Sequence, residues 1–183
     1  MTVIIGMDPH KRSAIRVHWG STAGGEVGAM DVADNSEVSV EEIPVLTPDG
    51  EMQRWTVWVR QNDDADYCVR LTDGQGTHWD ADGGDVFDAF AAVRSEPGAR
   101  GFRFLVVGAR LDCWPSGMSS SMSGGVLVYR HYRSALQRLV HDLVDVVSRR
   151  GTRRYIFDAA PVSRVATAAE QATFREQWRM RIL

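Results

Sequence analysis

Between residues 108 and 125 the chain reads Gly108-Ala-Arg-Leu-Asp-Cys-Trp-Pro-Ser-Gly-Met-Ser-Ser-Ser-Met-Ser-Gly-Gly125. The stretch gathers Arg110, Asp112, Trp114, Ser116, Met118 and Met122, types suited to binding more than to bond breaking. A guanidinium fork such as that of Arg110 holds an anion through two parallel N–H bonds, and Asp112 is spaced to orient it. Trp114 with the two methionines makes an adaptable apolar contact surface. A long connection on a rigid scaffold is a common place for such a surface. The same residues also have a purely structural use: Arg110 pairs with Asp112, Trp114 covers a sheet edge, and Pro115-Ser-Gly117 makes a turn.

A second cluster is basic. Arg130, Arg133, Arg138, Arg149, Arg150, Arg153 and Arg154 are interleaved with His131, Tyr132 and Tyr155, as a nucleic-acid surface is built, with Arg149, Arg150, Arg153 and Arg154 its densest part. Charge balance opposes that use. Residues 1–98 hold 7 Lys or Arg against 18 Asp or Glu, a net −11, whereas 99–183 hold 14 against 6, a net +8. The acidic half can neutralise the basic one within the molecule or across a dimer, so phosphate would compete with the protein's own carboxylates. The remaining motifs are negative. His10, His18, His78, His131 and His141 lack the spacing of zinc ligands. Neither Cys113 nor the serines near 116–123 lie in a nucleophile motif, and no glycine-rich nucleotide fingerprint follows a strand. No cofactor is expected from these residues.

At 183 residues, with 44% hydrophobic and 25% charged residues, the chain suits one domain with appendages or two small ones. Collagen-like, low-complexity and wholly disordered classes are excluded. No apolar run reaches the roughly 18–20 residues that a membrane span needs, and no secretory leader is visible, so a cytoplasmic protein without a membrane partner is expected. Cys68 and Cys113 read as reduced thiols. Lys11 is the one lysine among 21 basic residues, a codon bias that points to a GC-rich bacterial genome.

The elements that must position these residues follow from periodicity. Residues 1–20 read as a β-hairpin turning at Asp8-Pro9-His10, and 21–50 as an acidic, poorly packed connector with at most short strands at 38–40 and 43–46. A second hairpin spans 55–60 and 67–71. Val86, Phe90 and Val93 predict a helix over 84–95, capped by Asp82 or Asp85 and stopped by Pro97-Gly98. By residue type 102–107 is the strongest strand, and 126–130 is another. A helix is expected over 133–149, then a short strand over 154–157 and a terminal helix over 166–180. From residue 52 the order is β-β-α-β-β-α, an α+β fold: a mainly antiparallel sheet with helices on one face. The division is 1–20 hairpin, 21–50 connector, 51–150 α+β domain and 151–183 extension.

Two resemblances add to this. The segment Gly108-Ala-Arg-Leu-Asp-Cys-Trp-Pro-Ser-Gly-Met118, with the helix near Asp85-Val-Phe-Asp-Ala-Phe90, resembles a family of small, uncharacterised bacterial proteins carrying G-A-R-x-D-x-W-P-S-G-M. The likeness covers about residues 55–130 and implies a shared domain without an activity. Where that family tends to carry a charged residue before the second methionine, this chain has Ser119-Ser-Ser121. The start, Val3-Ile-Ile-Gly-Met-Asp-Pro-His-Lys11, resembles the N-terminus of the DEDD insertion-sequence transposases, whose first domain is RuvC-like. That likeness implies Asp8 as the first carboxylate of a two-metal Mg2+ site cleaving phosphodiesters, or a remnant of one fused ahead of the α+β domain. The leading expectation is a non-enzymatic module that binds a protein partner or a second copy through 108–125 and the arginine-bearing helix. The alternatives are a metal-dependent nuclease using Asp8, and nucleic-acid binding through the basic half.

Overall fold

The alternation over 55–71 forms the centre of an antiparallel sheet. The structure, a computed structural model, describes residues 39–62, 66–132 and 153–180. In it β1 (Ser39–Leu46), β2 (Met52–Gln61), β3 (Tyr67–Thr72), β4 (His78–Gly83) and the short β5 (Arg103–Phe104) make a five-stranded sheet in the order β4-β3-β2-β1-β5. The fold is α+β. Ile43 faces Trp55, Val57 faces Leu71, and Val69 faces Ala81 on neighbouring strands. This register sends the odd-numbered residues to one face, where Ile43, Val45, Trp55, Val57, Val59, Val69 and Leu71 are buried. The opposite face carries Arg54, Trp58, Arg60, Arg70 and Asp80, none of them buried.

The acidic connector does not extend to residue 50. From Ser39 the chain is an eight-residue strand paired along its length with β2. Pro44 disguises it, because proline usually argues against an interior strand. Here the Pro44 carbonyl accepts from Leu105 N–H at 2.9 Å, so its missing donor would point toward the short β5 and the ladder to β2 stays intact. The N-terminal hairpin, Asp8 and the helix expected over 133–149 lie outside the described residues.

Helix α1 (Val86–Val93) buries Val86, Phe87, Ala89, Phe90 and Val93 over the apolar sheet face. Asp85 caps it, its carboxylate accepting the Asp88 amide at 2.8 Å. The helix ends at Arg94, not at the proline. A short α2 (Ser95–Ala99) follows, with Pro97 in its first turn, where a missing N–H costs nothing. The expected strand over 102–107 is also shorter: only Arg103 and Phe104 pair with β1, and the chain then turns through a 3-10 helix, Val107–Ala109. The run Phe104-Leu-Val-Val107 is buried throughout. Its apolar composition reports burial: the Leu105 amide still bonds β1, but the Leu105 carbonyl and the Val107 amide bond the 156–160 segment, the latter to the Asp158 carbonyl at 2.8 Å.

A second, three-stranded antiparallel sheet, in the order β6-β7-β8, is built from β6 (Cys113–Trp114), β7 (Leu127–Arg130) and β8 (Arg153–Tyr155). Between β6 and β7 lies α3 (Gly117–Ser123), and α4 (Ala168–Met180) follows a 3-10 turn, Val162–Arg164. Ile156, Phe157 and Phe174 share one core with Trp55 and Phe90. Residues 153–180 are thus integral to the α+β unit, which a boundary at 151 would cut. No helix among the described residues is long and apolar enough to cross a membrane.

Candidate functional site

The 108–125 stretch is folded, and most of its chemistry-bearing residues are engaged. Arg110 and Asp112 are brought together by the turn at Leu111-Asp112, where the Cys113 amide donates to the Arg110 carbonyl at 3.4 Å. Arg110 donates from Nε and Nη2 to the two Asp112 oxygens, each at 2.9 Å. Arg130, brought alongside by β7, adds an Nε donor to Oδ2 at 2.7 Å. Burial alone would raise the Asp112 pKa, but the two guanidiniums outweigh it and hold the carboxyl below its usual range.

Trp114 is buried and stacks flat on His131, with ring centroids 3.8 Å apart. Trp178 from α4 closes on both rings edge-on, at 5.4 Å from Trp114 and 4.8 Å from His131, and donates its indole N–H to the Tyr132 carbonyl at 3.2 Å. His131 Nε2 lies 3.3 Å from the Trp114 carbonyl oxygen. Burial lowers the His131 pKa, with Arg175 adding to that and the Trp114 carbonyl opposing it. Cys113 is buried and its thiol is pushed up to about 12, far from the thiolate a nucleophile requires.

Ser116 caps α3, its hydroxyl accepting the Ser119 amide at 3.1 Å. Gly124 ends the helix in the left-handed region at φ 56°. Ser119 and Ser123 turn inward and meet at 3.0 Å. Met118 and Met122, one turn apart on the other side, are 73% and 80% exposed. Arg153 and Arg154 are adjacent on β8, so they project to opposite faces of the small sheet. Arg149 and Arg150 lie outside the described residues, as does Asp8. Among the described residues no three His, Cys, Asp or Glu side chains gather as a metal site.

Sequence reasoning missed Gln171 and Arg94. Gln171 is 3% exposed, and its Nε2 reaches the carbonyls of Gly108, Arg110 and Cys113 at 3.0, 2.6 and 3.0 Å. Its Oε1 accepts from Arg94, whose Nη1 donates to the Ala166 carbonyl at 2.9 Å. Arg94 is buried, no carboxylate among the described residues pairs with it, and burial pulls its pKa down to about 10. One signal for α4 was available: Thr167-Ala-Ala-Glu170 forms a capping box. The Thr167 hydroxyl accepts the Glu170 amide at 3.2 Å, and Glu170 accepts the Thr167 amide at 2.8 Å.

These contacts leave a groove of about 790 Å³ between α4 and the 111–112 and 130–132 segments. Phe174 and Ala166 are buried in its wall, with Leu111 and Val165 half-buried beside them. Arg103, Arg130 and Arg164 carry positive charge along its edges, and Asp112 and Glu170 the negative charge. No protein-family model matches this chain, and no curated protein matches it either.

Proposed function

We propose that the protein is a non-enzymatic α+β module that binds a protein partner. One observation carries this: the residues suited to chemistry are mostly engaged with one another, and beside them lies a groove of about 790 Å³ whose wall mixes the apolar Leu111, Val165, Ala166 and Phe174 with charged side chains. Arg110 and Asp112 pair with each other, Trp114 is stacked inside, and Cys113 is buried with its thiol pushed up to about 12. Concave sites with an apolar base and a few placed polar groups are where ligands and partner side chains dock. The exposed pair Met118 and Met122 adds the type of flexible apolar contact that adaptable binding surfaces use. The partner is either another protein or a second copy of this chain.

Site-specific photo-crosslinking from position 173 tests the reading, because Thr173 lines the groove and is exposed. A photoreactive side chain there is expected to give a discrete crosslinked protein species in the producing cell, and Ala169→Trp, which fills the groove, is expected to remove it. No crosslink, or one indifferent to the filled groove, contradicts docking at this place.

A further inference from the structure

We propose that the open edge of β1 is the docking place of the chain's own N-terminal segment Ala14–Trp19, which lies along Ser39–Ile43 as a further strand. The Leu105 amide donates to the Pro44 carbonyl at 2.9 Å, and this fixes which way the alternating backbone groups of β1 point. Residue 44 and its even-numbered neighbours aim their N–H and C=O away from β2, on the side of β5. Beyond that bond only Val45 and Leu46 pair with β5. The chain does not continue alongside Glu42, because the Val107 amide turns to the Asp158 carbonyl at 2.8 Å. Val40 and Glu42 therefore present two N–H and two C=O groups at an edge that no strand among the described residues occupies. A row of this kind is a template for another strand.

Position, pattern and charge select the occupant. The 38 residues that precede Ser39 join the sheet at the open edge itself. Within them Ala14-Ile-Arg-Val-His-Trp19 alternates, with Ile15, Val17 and Trp19 in one set and Arg16 and His18 in the other. The 19 residues from 20 to 38, at about 3.3 Å each when extended, are ample to bring this run back against β1. The edge is two-sided in the same manner. Glu41 and Ile43 belong to the sheet face that holds the core, where Tyr155 donates to Glu41 at 3.0 Å, and exposed Glu42 belongs to the outer face. A strand in this place sets the apolar set beside Ile43 and Tyr155, and Arg16 beside Glu42. A second copy pairing through its own β1 fits less well. The register that bonds Val40 to Glu42 of the other copy puts Glu41 opposite Glu41, like charges where the strands approach most closely.

Amide hydrogen exchange followed by NMR on the full chain tests the proposal. The Val40 and Glu42 amides are expected to exchange at least about tenfold more slowly than an uncovered strand edge. Val17→Pro, which puts a proline into the added strand, is expected to abolish that protection. Ile43 and Val45, whose amides face β2, are expected to stay protected, which shows that the sheet is intact. Arg16→Glu is expected to lower the Val40 protection about threefold, and Glu42→Arg added to it to restore the protection. Fast exchange at Val40 and Glu42 in the full chain overturns the proposal, and so does protection that survives both Val17→Pro and Arg16→Glu. Protection that disappears on dilution, while light scattering follows a dimer separating, overturns it in favour of a second copy. The crosslink from position 173 probes a different surface, so the groove and the edge stand or fall separately.

Discussion

At the scale of single residues, His131 makes the groove wall sensitive to pH. Its ring sits between two tryptophans, and burial keeps its pKa below the ordinary 6.5, so the stack holds a neutral imidazole. In the unfolded chain the value returns to 6.5, where the unfolded state binds more protons than the native one. Stability is therefore lost progressively as pH falls below 6.5 toward the native value, and this group has no effect at higher pH. Urea midpoints measured from neutral to mildly acid pH are expected to fall in the natural protein and to stay flatter in His131→Phe, which keeps the stack without the proton. An identical slope in both contradicts the account. Asp112 contributes separately: its pKa is lowered, so its stabilisation is present above the ordinary carboxylate value and is lost as pH falls through that lower range. At this scale the sequence was informative where partners are close. The spacing of Arg110 and Asp112 makes their pairing readable, whereas nothing local shows that Arg130, across a turn and a helix, joins them.

At the scale of elements, Gln171 and Arg94 decide how α4 meets the end of α1 and the 108–114 segment. Replacing Gln171 with leucine takes the amide donor from the carbonyls of Gly108, Arg110 and Cys113, of which Arg110 also accepts from the Cys113 amide, and removes one of the acceptors of a buried guanidinium. The expected cost is about 3 kcal/mol in urea denaturation. Adding Arg94→Met removes the charge, together with an Nε that has no partner, so the double variant is expected to recover part of that loss. A double variant as unstable as the two single losses added together would show that the node is not coupled. The hairpin of β2 and β3, helix α1, β7 and α4 were legible because their apolar residues recur at period 2 or 3.6. Strand β4 was not: His78-Trp-Asp-Ala-Asp-Gly83 has only two apolar residues and types depleted in strands. It is an edge strand, and its aspartates discourage pairing with another chain. Helix α3 hid in a serine-rich run whose hydroxyls close locally on the backbone.

At the scale of the whole molecule, the opposed halves of the charge pattern meet inside one fold. Asp88 on α1 faces Arg175 on α4 at 3.7 Å, and Tyr155 on β8 donates to Glu41 on β1 at 3.0 Å. The break in charge near residue 98 is therefore no boundary of structure. Sequence alone could not reveal the groove, because residues from β5, the 111–112 segment, the end of β7 and α4 converge there only through the tertiary fold. The most direct measurement is hydrogen–deuterium exchange of the full chain, alone and with the partner caught by the crosslink. The account predicts protection concentrated in 164–177 and in 111–112 with 130–132. Protection confined to the outer face of the five-stranded sheet, or absent from α4, would contradict it.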